Sequence, residues 1–161
     1  MTKNKSIGSW ITLGHFSIAE IMAKAGFDWL CVDLEHSVID YSEAENLFAM
    51  IDYNDCIPFA RVGSNEPLII KRVLDAGAKG IIAPMINNVE DAKKLVESVK
   101  YPPLGKRGVG LARAQEYGFN FNEYKKNISL EIKIIAQIEH YDAIENLENI
   151  INVDGIDGTI I

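Results

Sequence analysis

The sequence predicts an α/β fold in which parallel strands form a (β/α)8 barrel. Three observations lead to this class. Short apolar runs alternate with helical patterns along all 161 residues, as expected for parallel strands joined by crossover helices. A glycine stands at three joints between helix and strand, at positions 26, 77 and 155. Polar residues also follow several apolar runs, as they do at the carboxyl ends of barrel strands.

Six apolar runs are predicted as strands. Their continuous hydrophobicity is typical of strands that are buried on both faces. The runs cover residues 9–13, 28–33, 57–62, 80–86, 133–139 and 158–161. The glycines that precede three of them are expected in the left-handed conformation in which many helices end.

Helical patterns lie between these strands. Ser17 and Ser42 are each followed three residues later by a glutamate, which is the spacing of a capping box. Pro67 is expected in the first turn of the third helix, and Asn88 is expected to cap the fourth. Apolar positions at helical spacing predict one further helix over residues 142–151.

The connection over residues 101–131 is much longer than a usual loop between helix and strand. Loops of this length commonly carry function or form an interface, and we expect the same here. Its "GKRGVG" segment, residues 105–110, lacks the spacing of a phosphate-binding loop and does not follow a strand. We therefore interpret that segment as a structural loop.

An open, doubly wound sheet is the alternative architecture. It usually carries a glycine-rich phosphate loop after its first strand, whereas "ITLGHFS" here contains one glycine. The barrel is therefore favoured, although six strands are fewer than eight and such barrels usually need about 250 residues. We expect residues 1–161 to form a single barrel domain that holds about the first six strands and is incomplete at its C-terminal end.

Composition excludes several classes of partner. The chain is 48% hydrophobic and has a formal charge of −7, which argues against nucleic acid or an anionic membrane, because basic surfaces bind phosphate groups. Cys31 and Cys56 show no CxxC pattern and fit reduced, structural thiols. No apolar run reaches about 18 residues. We expect a cytoplasmic protein.

Polar side chains follow three of the predicted strands. Asp33 and His36 end the second strand, Arg61 ends the third, and Gln137 and Glu139 end the fifth. Residues two apart in a strand share a face, so Gln137 and Glu139 are expected to project together. In a barrel all these side chains would meet at one mouth.

Each of these residues suits a particular chemistry. His36 could act as a general base oriented by Asp33, and Glu139 could bind a hard divalent cation through oxygen. Arg61 should be semi-buried and needs either a carboxylate, for which Asp75 is the nearest candidate, or an anionic substrate. Taken singly, each also has an ordinary explanation as a solvated side chain. Their coincidence at one end of a parallel sheet favours a functional site.

Five ordered segments carry a resemblance to a known family. They are "GFDWLCVDLEHS", "ARVGSNEPLIIKRVLDAGAKGIIAPMINNVEDA", "YPPLGKRGVGLARA", "IIAQIEH" and "VDGIDGTII". Together they resemble the HpcH/HpaI family of metal-dependent class II pyruvate aldolases, from about Ser6 to Ile161. The resemblance implies a TIM barrel of the phosphoenolpyruvate/pyruvate type and reversible cleavage of a 4-hydroxy-2-oxo acid to pyruvate and an aldehyde. It also implies a divalent metal (Mg²⁺, Mn²⁺ or Co²⁺) and a homo-oligomer, often a hexamer.

The resemblance implies a role for four catalytic residues. His36 matches the family's base and Asp33 matches its dyad partner. Arg61 matches the arginine that holds the 2-oxo oxygen as it becomes an enolate. Asp75 matches a supporting acid near that cluster.

The resemblance also implies a metal site. Glu139 matches a metal ligand, and Gln137 matches a residue beside the metal and the substrate. The second carboxylate ligand is expected beyond Ile161, in a G-P-x-D-L-S motif. Two alternatives stay open. One is a catalytically incomplete remnant or assembly module, and the other is a citrate-lyase-β-like carbon–carbon lyase acting on a CoA thioester, for which the sequence offers no evident CoA-binding surface.

Overall fold

A curled sheet of six parallel strands organises the computed structural model, which describes residues 5–161. The strands are β1 Gly8–Ile11, β2 Trp29–Asp33, β3 Ile57–Arg61, β4 Gly80–Ala83, β5 Lys133–Gln137 and β6 Gly158–Ile160. All six overlap the predicted runs. They lie in the sheet in chain order, from β1 to β6, whereas a doubly wound sheet reverses its strand order. The predicted partial barrel is therefore confirmed.

Four helices connect the first five strands. They are α1 Phe16–Lys24, α2 Tyr41–Tyr53, α3 Pro67–Asp75 and α4 Val89–Val99. Pro67 begins α3, where its missing N–H is harmless. Asn88 caps α4 by accepting a hydrogen bond from the backbone N of Asp91 at 2.8 Å. Both of these predictions are confirmed.

The predicted caps of the first two helices are wrong by two residues. His15, not Ser17, caps α1, and Asp40, not Ser42, caps α2. Asp40 forms a complete capping box with Glu43, since each side chain accepts from the other's backbone N–H. The serine spacing matches a capping box by chance, because both serines lie in the first turn rather than before it.

The three glycine joints have the predicted backbone. The φ angles of Gly26, Gly77 and Gly155 are 94°, 115° and 98°, in the left-handed region that side chains disfavour. At Gly77 a β-carbon would also lie 2.1 Å from Nη1 of Arg113. The end of the Arg113 side chain can move away, so the left-handed backbone is the reason that favours glycine there.

The long connection between α4 and β5 is partly helical. It contains a 3₁₀ segment Arg113–Gly118, α5 Phe121–Glu123, a π turn Tyr124–Ile128 and α6 Ser129–Glu131. Arg107 of the glycine-rich segment is buried, with its guanidinium 4.7 Å from the Tyr101 ring and 5.6 Å from the Tyr124 ring. Both rings belong to the same connection, so this arginine holds its two ends together.

The last predicted helix is divided into two. They are α7 Tyr141–Glu145 and α8 Leu147–Ile151, and Asn146 lies between them. The side chain of Asn146 donates to the backbone oxygen of Asn87 at 3.1 Å, which ties the break to the loop after β4. His140 caps α7 through Nδ1, which accepts from the backbone N of Asp142.

Two apolar layers hold the fold together. A large core lies between the sheet and the helices, and a smaller cluster around Cys31, Phe59 and Ile82 covers the concave face of the sheet. Cys31 and Cys56 are buried free thiols. Among residues 5–161, no helix is both long and apolar enough to cross a bilayer.

Candidate active site

Three predicted site residues are the last residues of their strands. Asp33 ends β2, Arg61 ends β3 and Gln137 ends β5. Asp33 and Arg61 are also direct neighbours in the register of the sheet. Because alternate residues share a face, they lie on the same side as Cys31 and Phe59, which is the concave side.

Arg61 and Asp33 form a bidentate ion pair. Nε of Arg61 donates to Oδ1 of Asp33 at 2.9 Å, and Nη2 donates to Oδ2 at 2.7 Å. The Arg61 side chain is 17% exposed and that of Asp33 is 2% exposed. The Trp10 ring stacks 4.6 Å from the guanidinium carbon. The two hydrogen bonds and the stacked ring therefore fix both the position and the plane of the Arg61 guanidinium.

The pair stays ionised despite its burial. Burial would raise the pKa of Asp33, but hydrogen bonds from Arg61 and from the backbone N–H groups of His36 and Glu35 outweigh it, and the net pKa is lowered. The hydrogen bond to Asp33 in turn raises the pKa of Arg61. Burial also raises the pKa of the neighbouring Cys31 thiol well above its usual range. The thiol therefore stays neutral beside the pair.

The lowered pKa of Asp33 predicts a loss of stability in acid. A carboxyl group whose pKa is lower in the folded state stabilises the protein above its unfolded pKa of about 3.9, and this contribution is lost as pH falls through the folded value. We expect the unfolding free energy, measured by urea titration from pH 5 to below the folded pKa, to depend less on pH in Asp33→Asn than in the wild type. The exposed Asp142→Asn serves as control and should keep the wild-type slope, whereas an unchanged slope in Asp33→Asn would contradict the prediction.

Asp75 does not join this cluster, which corrects its expected pairing with Arg61. It is the last residue of α3 and therefore lies near the amino ends of the strands, opposite Arg61. Arg107 donates to its Oδ1 at 2.7 Å, and Gln115 does so at 3.4 Å. Arg107 lies in the long connection, 32 residues from Asp75. Distance along the sequence therefore does not predict the partner of Asp75. Within this chain, Asp75 anchors that connection.

His36 lies in the loop after β2 with its side chain 68% exposed. Oδ1 of Asp33 accepts from the backbone N of His36 at 3.2 Å, and both Asp33 oxygens already accept from Arg61. Asp33 therefore orients the loop backbone and not the imidazole, unlike the expected side-chain dyad. The ring stays accessible at the mouth of the sheet.

Glu35 is the residue that sequence reasoning left without a role. Its Oε2 lies 3.3 Å from Nε of Arg61 and 3.7 Å from Nε2 of His36. That oxygen is buried and accepts no hydrogen bond from the described part of the chain. Glu35 thus adds a second negative charge beside the guanidinium and faces the imidazole. Its place between Asp33 and His36 was the only signal in the sequence.

Glu139 and Gln137 contact each other, as their spacing predicted. Nε2 of Gln137 donates to Oε2 of Glu139 at 2.7 Å, and the backbone N of Met85 donates to Oε1 at 2.9 Å. Ile138 points the opposite way into the main core. Glu139 is exposed while Gln137 is buried, so the carboxylate is accessible but held at both oxygens.

The arrangement combines three chemical capacities at one edge of the sheet. A fixed guanidinium can stabilise an oxyanion, an exposed imidazole can move a proton, and a held carboxylate can bind a hard cation. Within residues 5–161, no cluster of three or more His, Cys, Asp or Glu side chains is arranged to hold a metal ion. Among the predicted site residues, Glu139 is the one whose carboxylate is accessible.

Comparison with known proteins agrees with this architecture. The family model described as HpcH/HpaI aldolase/citrate lyase matches residues 6–161. A crystal structure of an HpcH/HpaI aldolase/citrate lyase family protein from Burkholderia cenocepacia J2315 superposes with a TM-score of 0.90 at 33% identity, covering 96% of this chain and 62% of that one. A citrate synthase structure, SbnG, superposes with a TM-score of 0.84 at 25% identity, covering 96% of this chain and 60% of that one.

Two curated relatives carry aldolase names. The chain is 37% identical over 164 residues to 2-dehydro-3,6-dideoxy-6-sulfogluconate aldolase of Pseudomonas putida, covering 100% of this chain and 64% of the relative. It is 40% identical over 156 residues to 4-hydroxy-2-oxovalerate aldolase of Rhodococcus jostii (strain RHA1), covering 96% of this chain and 60% of the relative. The chain thus spans less than two thirds of the length of these relatives. It belongs to the HpcH/HpaI aldolase/citrate lyase family.

Proposed function

We propose that the protein containing this chain catalyses reversible aldol cleavage of a 4-hydroxy-2-oxo acid to pyruvate and an aldehyde. The observation that carries the proposal is the buried Arg61–Asp33 pair at the strand ends. Nη1 of Arg61 donates no hydrogen bond to any residue from 5 to 161. The guanidinium is therefore fixed while part of it is free to donate to a substrate oxygen.

The residues present fit a divalent cation of the Mg²⁺ type. Each oxygen of Glu139 accepts one hydrogen bond and keeps a further lone pair for a metal. Mg²⁺ is usually bound by one or two carboxylates, while water and substrate fill its other positions. Glu139 would hold the ion, with Gln137 bracing the carboxylate. When bound, such a cation supplies Lewis-acid stabilisation of the enolate charge.

The remaining chemistry falls to residues of this chain. In the cleavage direction, His36 takes the proton of the C4 hydroxyl group, the C3–C4 bond breaks, and its electron pair becomes the enolate of pyruvate. Arg61 donates to the oxygen on which that charge develops. A proton then returns to C3 and gives pyruvate, while C4 leaves as the aldehyde carbonyl.

A citrate synthase or CoA-dependent lyase activity has weaker support. The structure named citrate synthase is 25% identical to this chain, whereas the two relatives named as aldolases are 37% and 40% identical. The aldolase reaction is therefore the one we propose. Small oxo acids and aldehydes are its partners, and a homo-oligomer is the expected assembly.

Proton exchange at pyruvate C3 tests the proposal. We expect the protein, incubated with Mn²⁺ and pyruvate in deuterium oxide, to replace the methyl protons with deuterium, as followed by proton NMR. His36→Asn should slow this exchange by about 10²–10⁴-fold, because it removes the proposed general base. Addition of a short aldehyde should yield an aldol product.

His15→Asn is the matched control for this experiment. It makes the same change at the histidine that caps α1, and asparagine is itself a good cap, so exchange should proceed at the wild-type rate. Absence of both exchange and aldol product in the wild type would refute the aldolase proposal. Full exchange in His36→Asn would refute the role of His36.

A further inference from the structure

The turn after β4 holds Met85 in an uncommon backbone conformation. Its φ angle is 54°, in the left-handed region that is unfavourable for a residue with a side chain. Met85 is 49% exposed, so packing of its side chain does not account for this conformation. Strain of this kind is kept when the surrounding structure requires it and is concentrated at functional sites.

The conformation directs the Met85 amide to Glu139. The backbone N donates to Oε1 at 2.9 Å, across 54 positions of sequence. The next residue, Ile86, is fully buried, and its backbone N lies 3.4 Å from the backbone oxygen of Gln137. Two consecutive backbone N–H groups therefore attach the turn to the end of β5.

Glu139 would otherwise be free to move. It is exposed, it lies beyond the end of β5, and the terminal torsion of a glutamate side chain is soft. Gln137 holds one of its oxygens and Met85 holds the other. The two donors together fix both the position and the plane of the carboxylate.

We propose that Met85 is a positioning residue whose left-handed backbone orients the Glu139 carboxylate to bind a divalent cation. The inference rests on the proposed function, in which Glu139 is a metal ligand. Outer-shell groups that hold a metal ligand commonly change affinity by about 10–100-fold when they are lost. Met85 contributes through its backbone. The metal affinity of a variant should therefore depend on whether the residue at position 85 tolerates a positive φ, and not on the size of its side chain.

Substitutions at position 85 separate backbone from side chain. Met85→Gly removes the side chain but favours a positive φ, whereas Met85→Val keeps an apolar side chain that is strained there. We expect the Kd of Mn²⁺, measured by isothermal titration calorimetry on the whole protein, to stay near the wild-type value in Met85→Gly. In Met85→Val it should rise by about 10–100-fold.

Asp55→Val is the matched control for strain alone. Asp55 also has a positive φ of 58°, but it lies between α2 and β3, at the opposite end of the sheet from Glu139. Its variant should lose stability and keep the wild-type Mn²⁺ affinity. Circular dichroism checks that each variant is folded. If Met85→Val does not fold, Met85→Ala replaces it and should bind Mn²⁺ more weakly than Met85→Gly.

Three outcomes would overturn the inference. Equal affinity in the wild type and in a folded Met85→Val would remove any role for the backbone of Met85. Equal weakening in Met85→Gly and Met85→Val would assign the effect to the side chain. Absence of Mn²⁺ binding in the wild type would instead refute the metal site of the proposed function, and the inference with it.

Discussion

Arg61→Met is expected to destabilise the protein and to abolish most of its proposed activity. The substitution leaves the Asp33 carboxylate buried, at 2% exposure, without its cation. Breaking a buried pair in this way costs about 3–5 kcal/mol. The loss of a donor to the developing enolate oxygen should reduce the rate of C3 exchange by about 10²–10³-fold. Urea unfolding and exchange in deuterium oxide measure the two effects separately.

Two further variants distinguish charge from geometry. Arg61→Lys keeps the positive charge but cannot form the bidentate pair with Asp33, so its stability should lie between those of the wild type and Arg61→Met. Adding Asp33→Asn to Arg61→Met removes the unpaired charge and should recover part of the lost stability. If the urea midpoint of unfolding is the same in Arg61→Met as in the wild type, the buried pair does not stabilise the protein as proposed.

Glu139→Gln is expected to abolish metal-dependent activity while leaving the fold intact. The side chain is exposed, but an amide has one acceptor oxygen and can accept from only one of the two donors, Gln137 and Met85. The loss of one hydrogen bond should lower the unfolding free energy by about 1–2 kcal/mol, which leaves the protein folded. The amide lacks the negative charge that a hard cation prefers. We expect Mn²⁺ binding to fall below detection in isothermal titration and C3 exchange to stop.

Glu148→Gln provides the matched control for Glu139→Gln. Glu148 is an exposed glutamate of α8, and its substitution removes the same charge from a position outside the site. Its Mn²⁺ affinity and exchange rate should equal those of the wild type. Wild-type Mn²⁺ affinity in Glu139→Gln would show that the cation is bound elsewhere.

Local chemistry accounts for the features that were predictable from the sequence. Continuous apolar runs located all six strands, and glycines with positive φ marked three joints, because burial and backbone sterics act within a few residues. Helix caps were less secure. Ser17 and Ser42 fit the pattern of a cap, yet His15 and Asp40 occupy those positions, since several nearby side chains can compete for the same N–H groups.

Partners distant in sequence required the folded chain. Distance along the chain favours Asp75 as the partner of Arg61, but α3 places Asp75 at the other end of the sheet, where Arg107 binds it. The partner of Arg61 is instead Asp33, because β2 and β3 pair in a register that sets Asp33 and Arg61 side by side. Neither pair can be inferred from the spacing of the residues in the sequence. The first depends on where α3 ends, and the second depends on the register of two strands.

Some features of the candidate site likewise follow from the sequence, and others follow only from the fold. The sequence by itself determined the six strands and the polar residues at their ends, because periodicity and the alternation of strand and helix are properties of the chain. The tertiary structure alone decided that Glu35 lies between Arg61 and His36 and that the left-handed Met85 holds Glu139. These contacts join loops whose backbone is set by packing around them, and packing is a property of the whole fold.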